Sequence, residues 1–276
     1  MVRTMGGTSK RLTVRRPGTC AACGRSVAVE EQAIWESATR RLTCVGCASV
    51  PPPTADGDQP GGSALREYER RHKKREQHAR ERLGVLGLIL ARVIEQPQST
   101  RAWKQGGQGE VRTGERLDVH RRGHGVRVLH DRRVPGHGNA NLDHIAIGPA
   151  GVLVIDTKTH RGDIRVDRIG GLFAPRRTVL LINGRDQTKL IDGLERQIGH
   201  VRYALQGCAH ESSIEIRGAL CFPNPDGLPL FSQLTVRDIV IDGPKPIAKL
   251  ACRPGPLTAE AIEQIWNHLR LSLPAA

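Results

Sequence analysis

The sequence is poor in aromatic residues and has no long apolar stretch. Phe, Trp and Tyr together make up 3% of the 276 residues, which argues against a surface that stacks the bases of single-stranded nucleic acid. The longest apolar run, GVLGLILA at 84–91, is far shorter than the ~20 residues needed to cross a bilayer. The chain starts without the apolar segment of a signal peptide. These absences predict a cytoplasmic protein with no membrane partner.

Acidic residues are also scarce relative to basic ones. The chain has 42 Lys and Arg against 28 Asp and Glu, a formal net charge of +14. Such a charge attracts polyanions, with nucleic acid as the first candidate and acidic membrane surfaces as the second. In an intracellular protein, the seven cysteines are better explained as metal ligands and core residues than as disulfides.

Four of the cysteines form two CxxC pairs separated by 20 residues: Cys20, Cys23, Cys44 and Cys47. Two thiolates on one tight turn bind one edge of a metal ion, and a second pair completes the tetrahedron that Zn²⁺ prefers. A segment this short cannot build a sufficient core, so a structural zinc would supply its stability. Free thiols or a redox pair are the alternatives. The predicted zinc ribbon would contact nucleic acid or a protein partner. The isolated Cys208, Cys221 and Cys252 are predicted to be core residues.

Composition divides the chain into five segments: a basic tail (1–19), the four-cysteine zinc ribbon (20–47), a Pro- and Gly-rich linker (48–64), a charged helix (65–98) and an α/β domain (102–276). The helix has two interpretations that remain open. Pairs such as Glu67–Arg71 and Glu76–Arg80, at i,i+4, would stabilise a solvated helix. Alternatively, its Lys and Arg residues form a strip that contacts phosphates.

In the α/β domain, 234–242 is expected to be one strand and 243–256 a loop. Three earlier strands are expected in succession, at 125–134, 141–147 and 151–158. If Pro149 and Ala150 are the two turn residues between the second and third strands, paired residue numbers sum to 299. Asp143 then faces Asp156, with Cβ atoms ~5 Å apart. Because side chains alternate along a strand, Lys158 lies on the same face as Asp156. A loop one residue longer would break this pairing.

Two helices can bring further polar groups to this sheet. In the first, 109–121, Glu110 shares a stripe with Gly114 and Leu117. In the second, 186–206, Gln197 shares a stripe with Leu190, Leu194 and Val201. A polar residue on an apolar stripe is either a hydrogen-bonded core residue or a site residue. Two facing carboxylates suit Mg²⁺ or Mn²⁺, and a nearby lysine suits hydrolysis of a phosphodiester.

At this point the sequence resembles the nuclease-related domain (NERD) family, a branch of the PD-(D/E)xK nuclease superfamily. The resemblance covers roughly 103–222 and lies in GGQGE (106–110), VLHD (128–131), NANLDH (139–144), GPAGVLVIDTK (148–158) and RG (161–162). The segment order also resembles an actinobacterial type of NERD protein, with a four-cysteine ribbon and a basic helix before the domain. The implied fold is a restriction-endonuclease-like α/β core, a mixed central sheet flanked by helices.

The resemblance implies a role for each matching residue. Asp143 and Asp156 match the metal ligands, Lys158 the catalytic lysine, Glu110 the acidic residue of the first core helix and Gln197 the glutamine of the second. Glu115 is an alternative acid that lies off the Glu110 stripe.

The histidines around the strands are predicted to differ in role. His160 and Arg161 are candidate phosphate contacts at the rim, whereas His130, His137 and His144 are expected to be structural or surface residues. Alternation along the strand places His144 on the opposite face from Asp143. The leading hypothesis is a metal-dependent nuclease acting on DNA. A catalytically idle protein that binds nucleic acid or a protein partner is the alternative.

Overall fold

The computed structural model describes residues 9–20, 26–36, 41–45, 59–93, 98–138, 140–171, 174–224, 227–229 and 233–276. Two of the four ribbon cysteines, Cys23 and Cys47, and the greater part of the predicted linker, 48–58, lie outside these ranges.

Short antiparallel strands form the cysteine-containing segment. Strands β1 (Ser9–Thr13), β4 (Gln32–Glu36) and β5 (Arg41–Cys44) make one sheet, and β2 (Gly18–Thr19) pairs with β3 (Ser26–Val27). The sequence predicts a basic tail over residues 1–19. Instead, residues 9–13 form β1, which pairs along its whole length with β4, and residues 18–19 form β2. Among the described residues of this segment, five form a small buried core: Val14, Cys20, Val27, Ala33 and Cys44.

Two long helices follow, α1 (Gly62–Val93) and α2 (Gln98–Arg121). They run antiparallel: Lys104 Nζ lies 5.6 Å from the ring centroid of Tyr68, and the Arg71 guanidinium lies 5.5 Å from that of Trp103. Helix α1 begins three residues before the predicted start, inside the predicted linker. Helix α2 begins eleven residues before the predicted 109. No helix among the described residues is long and apolar enough to span a membrane.

A mixed six-stranded sheet forms the centre of the α/β domain. Its order is β13-β14-β12-β8-β7-β6. The strands are β6 (Arg127–Arg133), β7 (Asn141–Gly148), β8 (Gly151–Thr157), β12 (Ile216–Cys221), β13 (Leu234–Val236) and β14 (Ile239–Asp242). Strands β8, β12 and β14 are parallel, and the other neighbours are antiparallel. A second, antiparallel sheet contains β9 (Ile164–Gly171), β10 (Ala174–Ile182) and β11 (Arg185–Asp186).

Helices cover both faces of the central sheet. The side chains of Val152 and Val154 pack in one core with α3 (Lys189–Ala204) and α5 (Ala259–Ser272). Alternate residues of the same strand, Leu153 and Ile155, pack on the other face with α2 and α4 (Pro244–Ala251). A strand with two buried faces is nearly continuous in apolar residues, as β8 is. The predicted mixed sheet flanked by helices is confirmed.

Two local predictions are wrong. The stretch 234–242, predicted as one strand, is a hairpin, because Arg237 and Asp238 both adopt positive φ (49° and 64°) and reverse the chain. The stretch 243–256, predicted as a loop, contains α4. Pro244 is compatible with the first turn of a helix, and α4 buries Ile247 and Leu250 against the sheet.

Candidate active site

Strands β7 and β8 bring two carboxylates to one end of the sheet. Their pairs run from Gly148–Gly151 to His144–Ile155, so the residue numbers sum to 299 as predicted. The next residue along each strand is Asp143 and Asp156. Asp156 is 3% exposed and Asp143 is half-buried. The two-residue turn thus fixes which side chains meet at the far end of the hairpin.

Three groups hold the two carboxylates in place. The backbone N–H of Thr157 donates to Asp143 Oδ2 over 2.7 Å. Lys158 Nζ lies 2.9 Å from Asp156 Oδ1 and 2.7 Å from Oδ2. From α3, Gln197 Nε2 donates to Asp156 Oδ1 over 2.9 Å. The chain therefore gathers Asp143, Asp156, Lys158 and Gln197 into one cluster.

Glu110 reaches the same cluster from α2, on the opposite side of the sheet. A Cβ on the preceding Gly109 would collide with the methyl group of Thr159. Only glycine therefore allows the helix to pass so close to the chain leaving β8. Glu110 itself is half-buried. Glu115, the alternative acid, is exposed and lines an open groove with Arg112 and Arg116.

The crowded carboxylates perturb one another. Burial raises the pKa of Glu110 to about 9, and the negative charges of Asp143 and Asp131 add to the effect. Burial and Asp156 raise the pKa of Asp143 to about 7, although Lys158 opposes this shift. Both shifts have the same origin: these sites disfavour the ionised form. A cation placed among the carboxylates would remove that penalty.

Lys158 responds in the opposite direction. Burial alone would lower the pKa of its ammonium group, but the charges of Asp156 and Asp143 outweigh burial and raise the pKa above its ordinary value. Lys158 is therefore a cation at neutral pH. A protonated lysine can bind and neutralise a phosphate oxygen, but it cannot accept a proton from water.

The donor set fits a hard divalent cation. Carboxylate oxygens are the ligands that Mg²⁺ and Mn²⁺ prefer, with water filling the remaining positions. Gln197 Oε1 is buried and has no hydrogen-bond donor among the described residues, so it can accept from a water molecule at the site. No group of three or more His, Cys, Asp or Glu side chains within the described ranges is arranged to hold a metal. Asp143 and Asp156 are the two carboxylates that would hold the ion, with water completing its coordination.

The predicted phosphate contacts lie on the loop after β8. The side chain of His160 is exposed to solvent. The part of its imidazole that is shielded from water, together with the charges of Lys158 and Lys189, lowers the pKa of the ring. Arg161 is also exposed, and its carbonyl accepts a hydrogen bond of 2.8 Å from Asn183 Nδ2. Both residues therefore lie at the rim of the cluster and outside its hydrogen-bond network.

Two histidines on the other face of the sheet are part of the core. Nδ1 of His130 and Nδ1 of His144 are 2.8 Å apart, and both rings are buried. Asp118 Oδ1 lies 3.5 Å from His130 Nε2 and accepts a bond from Arg121. This buried pair agrees with the expected structural role and with the expectation that His144 faces away from Asp143.

Sequence reasoning gave no role to Asp131, which joins helix α1 to the domain. Its carboxylate accepts bonds from Ser63 N (2.5 Å) and Ser63 Oγ (2.7 Å) in the first turn of α1. Asn141 Nδ2 donates to both Ser63 Oγ (2.9 Å) and Asp131 Oδ1 (3.3 Å). Asp131 is 2% exposed and has a φ of 48°. Its position in the VLHD motif was the available signal, but a sequence does not reveal a positive φ at a non-glycine residue.

The predicted zinc ligands are described only in part. Cys20 and Cys44, one from each CxxC pair, are both 1% exposed. The backbone N–H of Cys44 lies 3.3 Å from Cys20 Sγ and donates to it. This contact places one cysteine of each pair side by side, as a shared metal requires. The zinc site itself stays a prediction.

Residues 105–223 match the family model described as the nuclease-related domain, NERD. The matched range includes every member of the carboxylate cluster: Glu110, Asp143, Asp156, Lys158 and Gln197. No curated protein and no solved structure matches the chain.

Proposed function

The chain contains a nuclease-related domain over residues 105–223, and we propose that this domain hydrolyses phosphodiester bonds in DNA with the help of a divalent metal ion. The observation that carries the proposal is the meeting of Asp143, Asp156 and Lys158 at one end of the sheet, with Lys158 within 3 Å of both oxygens of Asp156. The net charge of +14 supports a polyanionic substrate.

In this proposal Asp143 and Asp156 hold the metal. When bound, Mg²⁺ or Mn²⁺ would activate a water molecule and neutralise charge on the phosphate. Gln197 fixes the orientation of Asp156 through its Nε2 donor, while its free acceptor binds a water molecule. Glu110 approaches from the opposite side of the sheet and, once ionised, accepts hydrogen bonds from waters at the site.

In this proposal Lys158 binds a phosphate oxygen and does not take a proton from the attacking water. Because its carboxylate neighbours keep it protonated, it can donate to a non-bridging phosphate oxygen whose negative charge grows in the transition state. His160 and Arg161, on the exposed loop that follows, would contact neighbouring phosphates and position the strand.

The test is cleavage of supercoiled and linear DNA with Mg²⁺ or Mn²⁺ by the whole chain and its variants. Asp156→Ala and Lys158→Ala should each lower the rate by roughly 10²–10³-fold, as is typical when one electrostatic group of an active site is removed. Lys249→Ala is the matched control, since Lys249 is exposed on α4 near the hairpin turn, at the other end of the sheet.

Two outcomes separate the competing ideas. A wild-type protein that binds DNA but never cuts it with any divalent ion would support the alternative, a catalytically idle protein that binds nucleic acid or a protein partner. Variants that cut as fast as wild type would instead contradict the site assignment and leave the activity in place.

A further inference from the structure

Helix α1 carries cations along one face. Arg66, Arg70, Lys73 and Arg80 stand at i, i+4, i+7 and i+14, with Gln77 at i+11, and all five side chains are exposed. This spacing keeps side chains on one face of a helix. At ~1.5 Å per residue the set spans about 21 Å. These five residues are called the cation stripe below.

Helix-stabilising ion pairs do not account for the stripe. Glu67 pairs with Arg70 (2.7 Å) and with Arg71 (2.6 Å), the latter as predicted. The predicted Glu76–Arg80 pair is absent from the described residues, and Glu76 instead lies 3.7 Å from His72. Within the described part of the chain, neither Lys73 nor Arg80 has a carboxylate at ion-pair distance. Two positive charges of the stripe are therefore not neutralised.

The opposite face of α1 is the one that packs on α2. Tyr68 lies against Lys104, and Arg71 lies over Trp103. A Cβ on Gly107 would come within 2.9 Å of the Leu65 side chain. Positions 68 and 71 lie on the far side of the helix from 66, 73 and 80, and position 65 lies between the two faces. Beyond Arg66, which contacts Asp131 and Ala276 of the domain, the stripe therefore faces away from α2.

The stripe starts beside the proposed active site. Asp131, which accepts the hydrogen bonds of Ser63, also lies 3.7 Å from the Arg66 guanidinium. Asn141, which donates to Ser63 and Asp131, precedes Asp143 by two positions on β7. From there α1 runs outward along the first half of α2.

We propose that the cation stripe binds the phosphate backbone of duplex nucleic acid that extends beyond the scissile phosphate. This inference rests on the proposed function, because it treats the carboxylate cluster as the place of cleavage. A length of about 21 Å corresponds to roughly six base pairs at ~3.4 Å per step along one strand. Exposed cations without interleaved aromatic rings suit phosphate contact rather than base stacking.

An acidic membrane fits the stripe less well. Membrane-surface helices place apolar side chains next to their cations. The exposed residues that flank the stripe are Glu69, Lys74, His78 and Glu81, and none of them would enter a bilayer. The two glutamates would be repelled by anionic lipid over a broad surface, whereas a single phosphate strand can follow the cations between them.

The test compares the salt dependence of duplex binding without added divalent ions, so that cleavage does not interfere. The test variant is Lys73→Gln with Arg80→Gln, in the whole chain. The charge-matched control is Lys249→Gln with Arg253→Gln, two exposed residues at the hairpin-turn end of the sheet. Binding to a duplex of about 30 base pairs, long enough to cover the stripe several times, is followed by fluorescence anisotropy over a series of salt concentrations. Circular dichroism and thermal melting check that both variants fold.

The slope of log affinity against log salt should become shallower by about 1.8 in the stripe variant, or ~0.9 for each lost phosphate contact. The control should keep the wild-type slope. An unchanged slope in the stripe variant would overturn the inference, as would an equal loss in the control, which would indicate attraction by net charge alone. Stripe-dependent binding to phosphatidylserine vesicles but not to DNA would also overturn it. Binding is measured without turnover, so a protein that never cleaves DNA can still pass this test.

Discussion

At the scale of single residues, the carboxylate cluster lowers the stability of the fold at neutral pH. Three carboxylates share one partly buried space, and the two with raised pKa values, Glu110 at about 9 and Asp143 at about 7, are both at a disadvantage when ionised. An unfolded chain ionises a glutamate near its ordinary value of 4.5. The folded protein therefore binds more protons than the unfolded chain between that value and the folded pKa. Stability from this group is complete at low pH and is lost as the pH rises toward 9.

Glu110→Gln should therefore stabilise the protein while it impairs cleavage. Near pH 8 without divalent ions we expect a Tm increase of roughly 2–4 °C, the shift that ~1 kcal/mol gives in a domain of this size. The gain should shrink as the pH falls toward 4.5, because the glutamate of the unfolded chain then binds a proton as well. Added Mg²⁺ should raise the Tm of wild type more than that of the variant.

Differential scanning calorimetry at several pH values, with and without Mg²⁺, measures the changes in Tm, and DNA cleavage assays measure the rate. Glu115→Gln is the control, since Glu115 is exposed on the same helix, and it should change neither the Tm nor the rate. A Glu110→Gln variant that is less stable than wild type at about pH 8 would mean that this carboxylate has a stabilising partner instead of a destabilising neighbourhood.

At the scale of elements, one side chain joins the first turn of α1 to the central sheet. Asp131 accepts hydrogen bonds from the first turn of α1, so its carboxylate also offsets the positive end of the helix dipole. Asp131→Ala should lower the free energy of unfolding by about 1–3 kcal/mol, from the lost helix cap together with alanine's poor tolerance of a positive φ. Asp131→Asn should lose less, because asparagine tolerates this conformation and retains one acceptor oxygen.

Urea denaturation measures the decrease in the free energy of unfolding, and limited proteolysis shows which part of the chain becomes less stable. We expect faster cleavage near residues 59–66 in Asp131→Ala, with the central sheet still protected. Asp167→Ala, an exposed residue on β9, is the control. Equal proteolysis of the alanine and asparagine variants would indicate that charge alone holds the helix.

The same elements show which structural features could be predicted from the sequence and which could not. The hairpin register could be predicted because a two-residue turn and a period of two leave one pairing, and Ile147–Val152 follows it. Gln197 could be predicted to reach the sheet because it is a polar residue on an otherwise apolar stripe of its helix. The turn at Arg237 and Asp238 could not, because arginine is not among the residues that favour a positive φ. Helix α4 could not be predicted because its prolines have a low helix propensity. Its burial against the sheet outweighs that propensity.

At the scale of the whole molecule, the two folded parts differ in what can stabilise them. The α/β domain has a large core on each face of its sheet. The cysteine-containing segment has a core of five buried residues among those described, and two of these are Cys20 and Cys44. So small a core supplies little stability without a covalent or metal link. A structural zinc would therefore be needed for the segment but not for the domain.

Protein purified under reducing conditions should accordingly contain about one zinc per chain by metal analysis, the content of a single site with four cysteine ligands. Cys44→Ser should lose the zinc and the protection of strands β1, β4 and β5 from hydrogen exchange. Strands β6 to β8 should keep theirs, because their packing does not involve the cysteines of the ribbon. Cys221→Ser is the control: Cys221 is also fully buried, but it lies in β12, where its Sγ is 3.4 Å from Thr113 Oγ1. Zinc retained in Cys44→Ser, or absent from wild type, would contradict the ribbon assignment, because the two buried cysteines would then be ordinary core residues.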